Sequence, residues 1–281
     1  MATHKIKSYA KINLALNIVG KTSSLHKIET IVGFIDLFDD ILIEKIKSKK
    51  NKVEFVGKFS KSITNNNTVT KLLNILEKKK LLKGKKFKIR ILKRIPVQAG
   101  LGGGSMNAAS ILRYFIKKKI IKISTEELRK ICNLIGSDVI LGLNPKFTIL
   151  NTRHKIIRYM NIKKIYTLLI KPKFGCSTKA IYSKVKKFSK PKFLCPSRKM
   201  FDLDFLNQMN NSLEHVAFLQ YPKLRQLKFS IEKLTSPIFV RMTGSGSTLV
   251  AYFASKKVCE NAKKNFYKKY KNYWCIASKT I

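Results

Sequence analysis

A glycine-rich stretch, QAGLGGGSMNAAS at residues 98–110, constrains the fold of this chain more than any other segment. It places four glycines in five positions, although glycine loses more backbone freedom on folding than any other residue. Before it, Phe87, Ile89 and Ile91 alternate with basic residues, in the period of a half-buried strand. After it, apolar residues recur at helical spacing: Ala108, Ala109, Leu112, Phe115 and Ile116. The order strand, glycine loop, helix start is typical of a phosphate site, because bare N–H groups and the helix dipole both favour an anion.

Two common phosphate loops do not fit these residues. The Walker loop ends in Gly-Lys-Ser/Thr, whereas Gly104 is followed directly by Ser105. The dinucleotide fingerprint needs glycine at its first, third and sixth positions, and counting from Gly100 the sixth is Ser105. What remains is P-x-x-x-G-L-G-G-G-S, from Pro96 to Ser105, running straight into a helix.

Length, cysteine content and hydropathy restrict the class of protein. The 281 residues suffice for one large domain or two modest ones. No stretch approaches the ~20 apolar residues of a membrane span, and we expect no signal peptide in the basic N-terminus. The five cysteines are widely spread without a C-x-x-C pair, which argues against a disulfide framework or a structural zinc site. A reduced cytoplasm fits these features best.

The net charge of +44 has two interpretations. A strongly positive protein attracts polyanions, so nucleic acid or a membrane surface is one candidate partner. The lysine runs at 78–80, 83–86, 117–119 and 268–269 lie on separate segments, however, and they are not interleaved with aromatic residues in one tract. We therefore favour a dispersed, solvated lysine surface that helps to collect phosphorylated small molecules.

Several other segments predict the secondary structure. KIKSYAKINLAL, VGFIDLFDDILIEKI and KKIYTLLIKP are rich in apolar and β-branched residues and predict strands. Ser124 and Glu127 form a capping-box pattern that begins a helix, and Gly136 is a natural end for it. Residues 186–199 predict a loop and residues 205–234 a helical segment, followed by strand, glycine turn and strand in PIFVRMTGSGSTLVAYF. The class is α+β with mixed sheets, and we place a domain boundary near residue 155.

These motifs resemble a known family. The stretch from Pro96 to Ser105 resembles the ATP-phosphate loop of the GHMP small-molecule kinases, such as galactokinase, homoserine kinase and mevalonate kinase. AKINLALNIVGK at 10–21, IGSDV at 135–139 and RMTGSGSTLVAYF at 241–253 are similar, within that superfamily, to the kinases of 4-diphosphocytidyl-2-C-methyl-D-erythritol. The resemblance covers most of the chain. It implies a ribosomal-protein-S5-like α/β domain at 1–155 that binds ATP, and a ferredoxin-like α+β domain at 156–281 that binds substrate.

The resemblance also implies the residues that bind ATP and Mg²⁺. Ser105 is the candidate Mg²⁺ ligand, and Met106 stands where the family often has a second serine. Asn67 resembles a polar position of the adenine pocket, although a turn asparagine is equally consistent with its surroundings. The implied ATP-binding set is Asn67, Pro96, Val97, Gln98, Ala99, Gly100, Leu101, Gly102, Gly103, Gly104, Ser105 and Met106.

Phosphoryl transfer to an alcohol needs a base and a positive charge near the reacting atoms. The resemblance assigns these roles to Asp138 and to Lys11, which it places beside the aspartate. By local pattern alone, Asp138 fits a helix N-cap and Lys11 a solvated surface lysine. Asn13 lies two positions after Lys11 and therefore shares its strand face.

The remaining substrate contacts implied by the resemblance are Asn13, His26, Tyr182, Gly244 and Ser245. The family grips cytosine with a tyrosine–histidine pair, whereas this chain has Leu25 before His26. Tyr182 stands where the family has an aromatic residue on the opposite side of the base. Gly244 and Ser245 belong to a glycine loop that the family packs against the active site, although a simple hairpin turn fits the local pattern as well.

The predicted function is ATP-dependent phosphorylation of the 2-hydroxyl of 4-diphosphocytidyl-2-C-methyl-D-erythritol, in the non-mevalonate route to isoprenoid precursors. Two alternatives stay open at this point. One is another GHMP kinase acting on homoserine or a phosphomevalonate-like alcohol, and the other is a basic nucleic-acid-binding protein. We expect a small-molecule enzyme that is a monomer or homodimer, with no membrane or nucleic-acid partner.

Overall fold

The computed structural model describes residues 3–23, 25–153 and 155–281, and the chain divides into two compact units. Unit 1 contains the N-terminal residues up to Ala10, then Leu37–Val97 and Gly102–Pro145. Unit 2 contains Lys11–Asp36, Gln98–Leu101 and Lys146–Ile281. Two long strands, β1 (Thr3–Lys21) and β2 (His26–Ile46), contribute residues to both units. The units therefore interleave along the sequence, and the division into domains 1–155 and 156–281 stays a prediction.

Unit 1 is built on a mixed sheet covered by helices. The second half of β2 pairs antiparallel with β4 (Lys86–Leu92), and β4 pairs parallel with β3 (Lys52–Val56). The helices are α1 (Thr68–Lys78), α2 (Gly103–Lys117), α3 (Thr125–Ile135) and the single turn α4 (Val139–Gly142).

The core of unit 1 follows the predicted periodicities. Phe87, Ile89 and Ile91 of β4 are buried, and the Phe87 ring lies 4.8 Å from that of Phe115 on α2. Burying each such side chain stabilises the fold by roughly 1.5–3 kcal/mol. The Ser124 hydroxyl accepts a hydrogen bond from the Glu127 N–H at 3.2 Å, so the predicted start of α3 is confirmed.

Unit 2 contains two sets of paired strands. The first half of β2 pairs antiparallel with β5 (Phe147–Leu150), and β5 with β6 (Ile156–Tyr159). A separate antiparallel sheet has the order β10-β7-β9-β8. Its strands are β7 (Tyr166–Lys171), β8 (Phe239–Met242), β9 (Leu249–Phe253) and β10 (Trp274–Lys279).

The helices of unit 2 are shorter than the sequence pattern suggested. They are α5 (Thr178–Ser183), α6 (Leu203–Gln208), α7 (Ser212–Gln220), α8 (Pro222–Thr235) and α9 (Lys256–Lys269). The helical segment predicted over 205–234 is thus three helices. Asn211 caps α7, and Pro222 starts α8, because proline is tolerated at the first helical position but not inside a helix.

The mixed α+β class is confirmed, since β4 pairs parallel with β3 and antiparallel with β2. Within the described residues, no helix combines the length and the apolar character needed to cross a membrane.

Candidate active site

In unit 1, the end of the glycine stretch forms the start of α2. Gly102 is the N-cap with φ +67°, a left-handed conformation that favours glycine, and the helix begins at Gly103. A Cβ on Gly103 would lie 3.0 Å from the Ile95 side chain, so the backbone packs closely there and a larger residue would push Ile95 aside. The carbonyl of Gly104 accepts a hydrogen bond from the Thr68 hydroxyl at 2.7 Å. The first N–H groups of a helix have no partner inside it, so this glycine start offers them to an anion.

Ser105 lies close to Gly136, at the end of α3. The Ser105 hydroxyl lies 3.7 Å from the position that a Cβ on Gly136 would take, two residues before Asp138. Asp138 stands at the N-cap position of α4, but its carboxylate caps none of the described N–H groups of that helix. Asp138 therefore takes the N-cap position that its local pattern indicated, without a capping hydrogen bond from its side chain, and its part in the reaction stays a prediction.

Two residues of the predicted ATP-binding set make structural contacts within unit 1. The Met106 N–H donates to the Gly102 carbonyl at 2.9 Å, and its buried side chain packs against Gly142. The Met106 side chain therefore belongs to the core, and its contact with ATP stays a prediction. Asn67 is the N-cap of α1, where its Oδ1 accepts from two N–H groups at 3.0 Å and its Nδ2 donates to the Thr64 carbonyl at 2.9 Å. Asn67 is therefore a helix cap, and its contact with adenine stays a prediction.

In unit 2, the first half of the glycine stretch lies against the glycine turn between β8 and β9. Gly100 has φ +71°, and a Cβ there would overlap the Thr243 carbonyl oxygen. The Thr243 hydroxyl donates to the Gly100 carbonyl at 3.3 Å, and the Thr248 N–H to that of Ala99 at 3.4 Å. The turn is therefore a hairpin connection, as one interpretation held, and it also packs on the glycine stretch. Its contact with substrate stays a prediction.

Lys11 and Asn13 on β1 meet in the same region of unit 2. Both are buried, and the Lys11 Nζ donates to Asn13 Oδ1 at 2.6 Å, which confirms that they share a strand face. The Lys11 N–H donates to the Leu101 carbonyl at 3.1 Å, and the Asn13 N–H to the Thr243 hydroxyl at 2.9 Å. The surface-lysine interpretation of Lys11 is wrong, because β1 holds it inside the protein.

Two residues that the sequence did not single out hold the glycine turn. Asn211 donates from its Nδ2 to the carbonyls of Met242 at 2.7 Å and Gly244 at 2.8 Å. The Thr178 and Ser245 hydroxyls are hydrogen-bonded at 2.7 Å. Neither Asn211 nor Thr178 lies in a recognisable motif, and only the three-dimensional fold brings them to the turn.

The predicted cytosine contacts His26 and Tyr182 face each other in unit 2. Their ring centroids are 5.2 Å apart at 52°, and the imidazole Nε2 is shielded from solvent with no hydrogen-bond partner among the described residues. Burial first, and then the charge of Lys21, lower the pKa of His26 below 6.5, so the imidazole is neutral near pH 7. Leu25 is 71% exposed and offers no ring for stacking.

The described residues contain no cluster of three or more His, Cys, Asp or Glu that could hold a metal ion alone. A Mg²⁺ ion that comes with a nucleotide needs few protein ligands, because the phosphates and water supply most of its oxygens. The Ser105 hydroxyl at the first turn of α2 fits that role.

Two family models match the chain. The GHMP kinases N terminal domain matches residues 67–145, and the GHMP kinases C terminal domain matches residues 198–272. The first covers the start of α2 and Asp138, and the second covers the glycine turn.

Full-length relatives agree with these matches. A curated 4-diphosphocytidyl-2-C-methyl-D-erythritol kinase of Pelagibacter ubique (strain HTCC1062) is 53% identical over 281 residues, covering 100% of both chains. That of Petrotoga mobilis is 32% identical over 253 residues, covering 87% of this chain and 96% of the relative. A crystal structure of 4-(cytidine 5'-diphospho)-2C-methyl-D-erythritol kinase matches with a TM-score of 0.78 at 20% identity, over 99% of this chain and 100% of the other. At that identity the structural likeness concerns the fold.

Proposed function

This chain belongs to the 4-diphosphocytidyl-2-C-methyl-D-erythritol kinases of the GHMP kinase family, and on that premise we propose that it phosphorylates the 2-hydroxyl of that substrate with ATP. The membership confirms the recognised family and the α+β fold expected of it. The products are the 2-phosphate derivative and ADP, in the non-mevalonate route to isoprenoid precursors.

The observation that carries the proposal is the bare start of α2. A helix of 15 residues begins in three consecutive glycine positions, Gly102 to Gly104, with its N–H groups uncovered by side chains. The dipole of such a helix favours a triphosphate at this end. Phosphoryl transfer relies mostly on positioning and charge neutralisation, which N–H donors fixed at a helix start supply.

We propose Asp138 as the general base and Lys11 as the positive charge that stabilises the transferring group. The acceptor hydroxyl gives its proton to the Asp138 carboxylate while its oxygen bonds to the γ-phosphorus. The bond from that phosphorus to the β–γ bridging oxygen breaks, and ADP leaves with the electron pair. These roles rest on the family motifs, and the burial of Lys11 in β1 supports them, since a charge acts more strongly away from water.

Mg²⁺ is part of the proposal through the Ser105 hydroxyl and the nucleotide phosphates. When bound, the ion neutralises charge on the β- and γ-phosphate oxygens. Ser105 itself orients its hydroxyl from the first turn of α2 toward Gly136.

We propose that His26 reads the edge of the cytosine and that Tyr182 provides an aromatic face. A neutral imidazole can both donate and accept, and the shielded, unpaired Nε2 of His26 suits one hydrogen bond to a base. The exposed Leu25 contributes apolar contact without stacking, so Tyr182 carries the aromatic part of the recognition.

The compartment and the partners are proposals as well. All five cysteines are free thiols, which supports a reduced cytoplasm. The absence of a nucleic-acid partner and the monomeric or dimeric state stay predictions.

A turnover assay against a panel of acceptors tests the function. Purified protein with ATP and Mg²⁺ is offered 4-diphosphocytidyl-2-C-methyl-D-erythritol, homoserine or phosphomevalonate, and ADP release is coupled to NADH oxidation. We expect turnover only with the cytidyl acceptor. Comparable turnover of another alcohol, or none with the cytidyl acceptor while ATP still binds, would contradict the assignment.

A further inference from the structure

A buried carboxylate lies directly beneath the start of α2, outside the roles assigned above. Asp39 of β2 is fully buried in unit 1. Its Oδ1 accepts hydrogen bonds from the Arg94 N–H at 2.8 Å and the Ile95 N–H at 2.9 Å. Its Oδ2 accepts from Asn107 Nδ2 at 3.0 Å and forms an ion pair with the Lys93 ammonium. Four N–H donors therefore surround one carboxylate.

The ion pair is expensive for the protein to bury. The side chains of Lys93 and Asp39 are 2% and 0% exposed, so both charges have lost their water. Burial lowers the pKa of Lys93, and the charge and hydrogen bond of Asp39 act against that shift. A buried ion pair often stabilises a fold no more than apolar residues of the same size would. Stability alone is thus a weak reason for two charges at this place.

The partners of Asp39 lie on both sides of the glycine stretch in the sequence. Arg94 and Ile95 lie between the end of β4 and Pro96, while Asn107 lies on the second turn of α2. A Cβ on Gly103 would lie 3.2 Å from the Lys93 Nζ and 3.0 Å from the Ile95 side chain. The ion pair therefore touches the helix start whose N–H groups are offered to the nucleotide.

We propose that Asp39 is a positioning residue for ATP: it fixes the end of β4 and the start of α2 in one geometry, so that the N–H groups of Gly103, Gly104 and Ser105 converge on the phosphates. This role deepens the proposed kinase function and rests on it. Asp39 acts through these neighbours. Its removal weakens binding of the nucleotide and leaves binding of the acceptor alcohol unchanged.

Asp39→Asn tests the role, with Asp40→Asn as the matched control. The amide loses the negative charge and turns a donor toward existing donors, so the helix start shifts or loosens. We expect the Kd of a fluorescent ATP analogue and the KM for ATP to rise about tenfold, which corresponds to roughly 1.4 kcal/mol. The KM for the acceptor stays within about twofold. Asp40 pairs with the side chains of Arg94 at 2.7 Å and Lys5 at 3.5 Å, both solvent-accessible, so its variant leaves ATP affinity within about twofold.

Asn107→Ala is the second variant, and it decides the matter if Asp39→Asn does not fold by circular dichroism. It removes the link to α2 and leaves the ion pair in place, so we expect about a threefold rise in the Kd for the ATP analogue. If Asp39 had only a structural role, the variants would melt at a lower temperature but, while folded, would bind ATP as the wild type does. Alternatively, the Kd for ATP and the KM for the acceptor would rise together. Either result overturns the proposal.

The binding measurement also separates this proposal from the proposed function. The titration needs no acceptor. If the wild-type protein binds the analogue but phosphorylates no tested alcohol, the acceptor assignment is refuted. The role of Asp39 is then still tested by comparing the affinities of the wild type and the variants for the analogue. Wild-type turnover with unchanged ATP affinity in a folded Asp39→Asn protein would refute only the role of Asp39.

Discussion

The start of α2 in unit 1 and the glycine turn between β8 and β9 in unit 2 are both bare backbone, but the protein holds them by different means. The start of α2 rests on a buried ion pair, Lys93 and Asp39. The turn is held by uncharged groups, among them the Asn211 amide, which donates to Gly244 at 2.8 Å, and the Thr243 hydroxyl. Neutral hydrogen bonds are evidently enough to hold a glycine turn in this protein.

The difference indicates what each segment is built for. A neutral hydrogen bond contributes about 1 kcal/mol, and its loss is tolerated locally. A buried charge that loses its partner is much more damaging, so the ion pair ties the helix start to a single geometry. The charged support lies beneath the segment for which we propose phosphate binding, where small errors in N–H geometry are costly.

The largest expected effects are losses of kcat when one proposed catalytic residue from each unit is replaced. Asp138→Asn removes the proposed base, so kcat falls by about 10³-fold while the Kd for ATP changes little. Lys11→Met removes a buried charge and its bond to Asn13, so kcat falls by about 10²-fold. Steady-state kinetics and ATP-analogue titration measure both. Unchanged turnover in Asp138→Asn would remove that residue from the mechanism, and a loss confined to ATP affinity in Lys11→Met would make Lys11 a nucleotide contact.

The second prediction compares the two supports directly through the free energy of unfolding. Lys93→Met leaves the buried Asp39 charge unpaired, and we expect a loss of about 3–5 kcal/mol. Thr243→Val removes neutral hydrogen bonds to Gly100 and Asn13, and we expect about 1–2 kcal/mol. Urea unfolding followed by circular dichroism measures both. Equal losses would erase the distinction between a charged and a neutral support.

Much of the fold was predictable because its signals are local. The alternation of Phe87, Ile89 and Ile91 specifies β4, and the pairing of Ser124 with Glu127 specifies the start of α3. The glycine stretch predicts a helix start because few other local structures use so many glycines. Lys11 and Asn13 share a face because side chains alternate along a strand, and their hydrogen bond of 2.6 Å follows.

The supports of the site were not predictable from local pattern. Lys93 is one of many basic residues, and nothing near it in the sequence separates a buried lysine from a solvated one. Its partner Asp39 lies 54 positions away, and Asn211 lies 33 positions from Gly244. Such pairs arise from tertiary packing. The same packing placed Met106 in the core and made Asn67 a helix cap.

A third and smaller effect tests how closely the turn and the glycine stretch of unit 2 pack. Gly100→Ala places a methyl group on the Thr243 carbonyl and keeps an unfavourable φ of +71°, so we expect a loss of about 2–3 kcal/mol in the free energy of unfolding. Gly84 is the matched control, because it has φ +75° while a Cβ there meets no described atom within 4 Å. Gly84→Ala should cost only about 1 kcal/mol. Equal losses would mean that backbone conformation, and not the contact with Thr243, sets the requirement at Gly100.

The smallest effect concerns pH and contrasts the neutral His26 with the charged support of α2. Because burial and Lys21 lower the pKa of His26 below 6.5, the unfolded chain takes up this proton at a higher pH than the folded protein does. The contribution of His26 to stability is therefore complete above pH 6.5 and declines as the pH falls below it.

If the neutral imidazole binds the acceptor, the KM for the acceptor is constant above pH 6.5 and rises only at lower pH, while the Kd for ATP does not change with it. His26→Gln should raise that KM about threefold and abolish its rise at low pH, since an amide does not titrate. His215→Gln, at an exposed position of α7, is the control and should keep the wild-type profile. If the KM for the acceptor still rises at low pH in His26→Gln, another group titrates and His26 has no part in acceptor recognition.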